Sequence, residues 1–316
     1  MGIKARRVTV TCQKCYNPKI ITMKKKTKKT AVITGAVFAV FAIVFIIFQM
    51  RSPVLIVTDM AFIPLYGDER IRDKSLRSSL VLFRPVKTVI IANDAGDDIV
   101  LIAINDISSR PHCVIFPLRF AHSARQYREQ NPLVPVIILG NRYEENFIIS
   151  ALGGNANDYY IYTTDVHAEF HRVGLIAAAL DMNKNGRIAV FMENNLQTQV
   201  RETFSNALNS GNSSPQAVFY SSFSSFSGSQ DFSCVILAGT GSEYMDRESD
   251  IPVIIFTWID PDLLSSGFIL VIDDSPWAQT VQAVRMASQK MPSGRILSEF
   301  TFLKSRNADI GTLRKM

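Results

Sequence analysis

The sequence predicts an α/β protein with two lobes, each built on a doubly wound, mainly parallel sheet, preceded by one N-terminal transmembrane helix. Three observations carry this prediction: an uncharged apolar run early in the chain, short strand-like runs after it, and longer mixed segments between those runs. The chain has 316 residues, of which 47% are hydrophobic, so it is long enough to bury a large core. We therefore expect a globular protein rather than a disordered one.

The first element is the apolar run at residues 31–50, AVITGAVFAVFAIVFIIFQM, which contains 20 residues without a charge. A helix of this length spans roughly the 30 Å hydrocarbon core of a bilayer. Residues 1–30 carry ten Lys and Arg and no acidic residue, so the positive-inside rule places this tail in the cytoplasm. The sequence thus predicts a basic cytoplasmic tail at 1–30, a single-pass anchor at 31–50 in the inner (cytoplasmic) membrane, and an extracytoplasmic, periplasmic C-terminal domain.

A cleaved signal peptide is the alternative interpretation of this run. The apolar stretch of a signal peptide is usually about 7 to 15 residues long and ends in small residues. This run is longer and ends in FIIFQM at residues 45–50. We therefore expect it to be retained as an anchor.

The net charge of +6 arises in the N-terminal tail. Beyond residue 30 the chain has 24 basic and 28 acidic residues, so the remainder carries about −4. A nucleic-acid-binding protein needs its basic surface on the folded domain. We therefore expect no nucleic-acid partner.

Short apolar runs alternate with mixed segments after residue 50. The predicted strands are Val54 to Thr58, Lys87 to Ala92, Cys113 to Pro117, Val134 to Leu139, Tyr159 to Thr163, Arg187 to Met192, Ala217 to Tyr220, Cys234 to Leu237, Val253 to Thr257 and Phe268 to Ile272. The predicted helices lie near 68–82, 97–108, 121–130, 165–182, 196–209 and 275–290. Continuous Val/Ile/Phe runs are typical of strands covered on both faces, and parallel strands need crossover connections.

The best-defined predicted helix begins at Asp165, whose side chain can cap the first turn, and stops at Asn185-Gly186. We expect residues 51–316 to form a two-lobed domain. Lobe 1 is predicted at about 54–140 plus a C-terminal segment, and lobe 2 at about 160–292. The hinges between them are predicted near 141–164, 258–267 and 294–304.

Several short motifs follow one another in the second half of the chain. They are Tyr162-Thr-Thr-Asp165, Gly174 with Ala177-Ala178-Ala179-Leu180, Asn185-Gly186-Arg187-Ile188-Ala189-Val190-Phe191, Ala238-Gly239-Thr240-Gly241, and Ile272-Asp273-Asp274 before Trp277. Their order resembles the type I periplasmic binding protein fold, which sugar-binding proteins, basic membrane lipoproteins and the effector domains of lactose-repressor-type regulators share. The resemblance covers roughly residues 54–305. One departure is a short serine-rich segment at 221–230, where that family usually has a helix.

Candidate ligand-binding residues follow from the rule that ligands bind outside the carboxyl ends of the strands in open α/β sheets. From the first lobe they are Asp59, Tyr66, Asn93, Arg119, Phe120 and Arg142, with Asp94 beside them; from the second they are Asp165, Glu193, Asn194, Thr240, Trp258 and Asp274, with Gly239 and Asp260. Their aromatic, amide and charged groups suit stacking and paired hydrogen bonds to a sugar or nucleoside. Each has a structural alternative, such as a helix cap for Asp165 and a turn for Gly239.

Other chemistry is not predicted. His167 and His171 have the i, i+4 spacing of a metal pair, but a solvated helix face explains them as well, and Cys12-x-x-Cys15 has no second pair. Cys113 and Cys234 lie in apolar runs and are predicted to be buried free thiols. G-x-S-x-G and Walker A motifs do not occur. We expect no enzyme, no catalytic residues, no cofactor and no metal.

The resemblance implies a membrane-anchored extracytoplasmic solute-binding protein. Such a protein closes its lobes on a small polar ligand, here a sugar or nucleoside, and presents the closed form to a transporter or receptor. The residues leave a second interpretation open. It is a degenerate binding-fold domain that acts as a sensory or scaffold protein.

Overall fold

The computed structural model describes residues 34, 37–141, 148, 150–153, 156–181, 186–210, 215–226, 232–239, 251–256 and 269–304. The chain divides after Met50, and residues 51–316 form a unit of their own. This second unit contains the sheets described below.

The predicted pattern of strands and helices is confirmed. The strands are β1 Val54–Asp59, β2 Val86–Ile91, β3 Cys113–Pro117, β4 Val136–Asn141, β5 Tyr160–Thr164, β6 Arg187–Met192, β7 Gln216–Tyr220, β8 Phe232–Ala238, β9 Val253–Phe256, β10 Ile269–Asp273, β11 Ser293–Arg295 and β12 Glu299–Lys304. The helices are α1 Phe62–Tyr66, α2 Asp68–Leu82, α3 Asp97–Ile107, α4 Ala121–Gln130, α5 Val166–Leu180, α6 Asn194–Asn209 and α7 Pro276–Ser288. Every predicted strand and helix is present with ends within two residues, whereas α1, β11 and β12 were not predicted.

The strands of the described chain form two six-stranded sheets. The first has the order β11-β5-β4-β3-β1-β2, and all its neighbours are parallel. The second has the order β12-β10-β9-β8-β6-β7, in which only the β10–β12 pair is antiparallel. Mainly parallel sheets explain the continuous apolar runs, because each strand must be apolar on both faces.

The first sheet is covered on both faces. One face packs with side chains of α3 and α4, such as Ile104 and Tyr127, and the other packs with α7 through Trp277 and Val284. Helix α7 begins with Ser275, whose hydroxyl accepts the Ala278 backbone N–H, followed by Pro276 in the first turn. Both features favour a helix start at this point.

The second sheet is covered by helices on one face and by aromatic rings on the other. Helices α5 and α6 pack on the first face, where Phe170 and Phe204 meet edge to face. On the other face, the rings of Phe223 and Phe226 pack on Phe191. These two phenylalanines belong to the serine-rich segment, so apolar cover remains at the place where that segment replaces a helix.

Within the described residues, three chain crossovers connect the two sheets. The chain passes from β5 to α5 at Asp165, from β10 to α7 at residues 273–276, and from β11 to β12 at residues 296–298. We call the first sheet with α1 to α4 and α7 the first lobe, and the second sheet with α5 and α6 the second lobe. Strand β5 and helix α7 fall within the range 160–292 that was predicted for the second lobe. In the structure they belong to the first lobe, because β5 pairs with β4 and α7 packs on the first sheet.

The predicted membrane-spanning helix at 31–50 is wrong, and with it the predicted single-pass location in the inner membrane with a periplasmic domain. Within the part of the chain that the structure describes, no helix is long and apolar enough to cross a membrane. The described part of this run, residue 34 and residues 37–50, is helical. An uncharged apolar run in the sequence is therefore not sufficient evidence for a membrane span.

Candidate functional site

Polar side chains from three neighbouring strands meet at the carboxyl edge of the first sheet. Asp59 ends β1, Asn93 follows β2, and Arg119 follows β3; these strands are adjacent in the order β3-β1-β2. The Arg119 Nη1 atom lies 2.6 Å from Asp59 Oδ2, and Arg119 Nη2 donates to the Asn93 backbone carbonyl at 2.6 Å. The structure therefore brings three predicted site residues into one network, with Asp94 exposed beside it.

The same two acceptors also fix the turn that leads into α1. The other Asp59 carboxylate oxygen accepts the Phe62 backbone N–H at 2.9 Å, and the Asn93 side-chain oxygen accepts the Ala61 backbone N–H at 2.9 Å. Short polar side chains at strand ends commonly bind backbone groups in this way. Asp59 and Asn93 are thus fixed by hydrogen bonds to the turn backbone as well as by their contacts with Arg119.

The Arg119 guanidinium is accessible in this network, and Asn93 is exposed beside it. Its side chain is 50% exposed, whereas Asp59 is 15% exposed. The guanidinium carbon lies 5.7 Å from the centre of the Phe120 ring, and Phe120 is itself buried in the core of the first lobe. The site therefore offers a charged donor group above an apolar base.

A second polar pair lies at the same edge, at the ends of β5 and β11. The Arg295 Nη1 atom lies 2.5 Å from Asp165 Oδ2, and the other Asp165 oxygen accepts the Ala168 backbone N–H at 3.2 Å. Asp165 therefore caps α5 and forms an ion pair as well. The sequence did not predict Arg295, because its strand is the tripeptide Ser-Gly-Arg and has no apolar pattern.

In the second lobe, the predicted residues Glu193, Asn194 and Gly239 lie together. Strands β6 and β8 are neighbours, and Met192 forms a bridge with Gly239 where they end. Glu193 and Asn194 follow directly, start helix α6 and are exposed. Gly239 has φ +102°, a conformation that favours glycine.

Tyr66 and Asp274 are less exposed than these groups. Tyr66 is fully buried, and its hydroxyl donates to Asp273 at 2.9 Å. Asp274 is half-buried at the crossover between β10 and α7, and its negative charge acts electrostatically on Glu169 of α5. Burial and the Asp274 charge raise the pKa of Glu169 to about 8. Glu169 was not predicted as a site residue, since a glutamate in a first helical turn is usually explained by its favourable interaction with the helix dipole.

Several predictions lie outside the described residues: Arg142, Thr240, Trp258 and Asp260 among the site residues, and Cys12 and Cys15 in the tail. Cys113 and Cys234 are buried free thiols, as predicted. His167 Nδ1 lies 3.0 Å from the Thr203 hydroxyl. In the described ranges, no cluster of three or more His, Cys, Asp or Glu side chains could hold a metal ion.

Comparison of sequences identifies no relative. No protein-family model matches the chain, and no curated protein sequence matches it. Any likeness to known proteins therefore rests on the fold.

Comparison of structures identifies the fold. A transcriptional activator of the comK gene from Bacillus halodurans matches with a TM-score of 0.56 at 14% identity, over 84% of this chain and 94% of that one. An ABC transporter periplasmic solute-binding protein from Actinobacillus succinogenes 130z, with bound D-allose, matches with a TM-score of 0.53 at 10% identity, over 84% of this chain and 100% of that one. The chain has the type I periplasmic binding protein-like fold that its motifs resembled.

Proposed function

We propose that this protein binds a small polar ligand of the sugar class between its two lobes, as a binding protein rather than an enzyme. The observation that carries the proposal is the network of Asp59, Asn93 and Arg119 at the carboxyl ends of three adjacent parallel strands. Open α/β sheets bind their ligands at this edge. The solute-binding protein of similar fold is described with bound D-allose.

The network suits hydroxyl groups on a ligand. A guanidinium held by two acceptors is ordered before the ligand arrives, so binding costs less side-chain entropy. Carboxylate and guanidinium groups together accept from and donate to neighbouring hydroxyls, as sugar recognition requires. The Phe120 ring below Arg119 adds apolar support.

The second lobe supplies the opposing groups in this proposal. Glu193 and Asn194 are exposed at the start of α6, and Thr240 and Trp258 of this lobe remain predicted ligand contacts, as does Arg142 of the first lobe. A ligand that touches both lobes stabilises the arrangement in which they are close, so ligand binding shifts the population toward closure. A transporter or receptor that recognises this closed form would be the partner.

The test is thermal unfolding of the full chain with separate panels of sugars, nucleosides, amino acids and metal ions, with D-allose as the first probe. A ligand present at 100 times its Kd stabilises the folded state by roughly 2.7 kcal/mol. A rise in unfolding temperature with sugars alone supports the proposal. A rise with another panel alone, or with none of them, contradicts it.

A second function, a sensory or scaffold domain that binds no small ligand, is favoured by one observation. Asp59 and Arg119 neutralise each other's charge directly. A ligand binds less tightly to a site whose charged groups already pair with one another, because the existing ion pair must be replaced by contacts with the ligand. A folded protein that responds to none of the panels would have this second function.

A further inference from the structure

The three crossovers between the lobes meet around one buried glutamate. Glu169 lies in the first turn of α5, directly after the crossover from β5, and is 5% exposed. Its carboxyl group accepts a hydrogen bond from Ser298, which belongs to the crossover from β11 to β12. Asp274, in the crossover from β10 to α7, acts on it electrostatically. Each of the three crossovers therefore contributes a group that either contacts Glu169 or acts on it electrostatically.

Other charged groups define its surroundings. Asp165 lies one turn before Glu169 and is paired with Arg295 of β11. Arg172 lies on the next part of α5, and its guanidinium carbon is 3.8 Å from the centre of the Phe300 ring of β12. The groups that act on Glu169 are therefore Asp274, Ser298 and Asp165, one at each crossover, and Arg172 on its own helix.

The balance of these groups opposes a negative charge on Glu169. Burial is the largest cause, and Asp274 and Asp165 add repulsion; together they raise the pKa of Glu169 to about 8. The Ser298 hydrogen bond and Arg172 act in the opposite direction. The carboxyl group therefore changes its charge near neutral pH, while it is packed between elements of both lobes.

We propose that this junction is a proton-controlled hinge between the lobes. With Glu169 protonated, its carboxyl group stays buried against Ser298, and the lobes keep the described arrangement. With Glu169 ionised, the carboxylate is repelled by Asp274 and draws in water, so α5 moves away from the crossovers and the lobes change their relative orientation. This goes beyond ligand binding and requires no ligand.

The experiment measures the distance between the lobes in the full chain without added ligand. Nitroxide labels are attached at Gln130→Cys on α4 and Gln199→Cys on α6, both exposed, with Cys12 and Cys15 replaced by serine. The buried Cys113 and Cys234 stay in place. Double electron–electron resonance then records the distance distribution from about pH 6 to about pH 10, on both sides of the Glu169 transition.

We expect the distribution to change with a midpoint near pH 8. Glu169→Gln keeps the shape of the protonated side chain and should hold the low-pH distribution throughout. Glu202→Gln, an exposed glutamate on α6, is the matched control and should behave as the parent chain does. A parent distribution that does not change with pH overturns the proposal, as does a transition that survives in Glu169→Gln.

Two further variants keep Glu169 itself. Ser298→Ala removes a group that favours the charged carboxylate, so the midpoint should move to higher pH. Asp274→Asn removes a repelling charge, so the midpoint should move to lower pH. Shifts in the opposite directions would assign the transition to another group and overturn the hinge. Because no sugar is present, failure of this experiment is distinct from failure of the proposed sugar binding.

Discussion

The Tyr66 hydroxyl donates a 2.9 Å hydrogen bond to the carboxylate of Asp273, a residue 207 positions later in the chain. This contact joins α1 of the first lobe to the end of β10 in the second sheet. Asp273 is 1% exposed, and it is also bound by the Ser275 hydroxyl at 2.6 Å and by Lys74 at 3.2 Å. A buried carboxylate is stable only when it is paired in this way. The Tyr66–Asp273 contact therefore holds the crossover from β10 to α7 against the first lobe.

Replacing Tyr66 with phenylalanine should destabilise the protein by about 1.5 to 3 kcal/mol, since the lost hydrogen bond is made to a buried charged acceptor. The matched control is Tyr127→Phe. The Tyr127 hydroxyl is buried and has no hydrogen-bond partner in the described ranges, so its removal should be neutral or stabilising. Urea unfolding followed by circular dichroism measures both changes. Equal losses in the two variants would show that the Asp273 contact adds no stability of its own.

The sequence predicted the strands well because buried parallel strands are continuous apolar runs, as in β3 and β6. It did not predict β11, where Ser293–Arg295 is held by backbone pairing with β5, nor α1, whose five residues include a proline. For the candidate site, the strand-end rule selected Asp59, Asn93 and Arg119, which the structure joins in one hydrogen-bonded network. It also selected Tyr66, whose burial depends on a contact with Asp273 that no local pattern records.

Gly174→Ala should destabilise the packing of α5 on α6. A Cβ atom at Gly174 would lie 2.7 Å from the Ala207 Cβ and 2.9 Å from the Phe204 carbonyl oxygen, and neither is the end of a flexible side chain. Overpacking of this kind costs about 1 to 3 kcal/mol of stability. Alanine favours a helix over glycine by roughly 1 kcal/mol, so we expect a net loss of up to about 2 kcal/mol. At Gly96 a Cβ meets nothing within 4 Å, so Gly96→Ala is the control. Unfolding midpoints that fall equally would contradict the packing argument.

Arg119→Ala should weaken sugar binding at least about tenfold, since a charged hydrogen bond is worth about 1.5 to 3 kcal/mol and about 1.4 kcal/mol is tenfold. Arg125→Ala is the control, because Arg125 is also half exposed and forms a 3.1 Å ion pair with Glu129 on α4. Titration calorimetry with the sugar that shifts the unfolding temperature measures the affinities. Unchanged affinity in Arg119→Ala would place the ligand elsewhere.

Asp165 has two roles that substitutions can separate. In Asp165→Asn the introduced amide oxygen can still accept the Ala168 N–H, but the ion pair with Arg295, which is 51% exposed, is lost. This variant should therefore cost less than about 1 kcal/mol. Asp165→Ala also removes the cap and should cost about 1 kcal/mol more. Thermal unfolding of the two variants measures the difference. If both variants lost the same amount, the cap would add nothing to stability.

The free energy of unfolding should fall as pH rises through the titration range of Glu169. The pKa of this carboxyl group is raised from 4.5 to about 8 on folding, so below about pH 4.5 the folded and unfolded chains both hold the proton. Between these values the unfolded chain has released the proton and the folded chain keeps it. Each pH unit therefore removes up to about 1.4 kcal/mol of stability, and above about pH 8 the loss is complete.

Glu169→Gln isolates this effect, because every other titrating group is common to both proteins. The difference between the unfolding free energies of Glu169→Gln and the parent chain should grow from about pH 4.5 to about pH 8 and then stay constant, reaching a few kcal/mol. Urea unfolding at a series of pH values measures it, with the exposed Glu202→Gln as the control. Parallel curves for the parent and Glu169→Gln would mean that Glu169 ionises in the folded protein as it does in the unfolded chain.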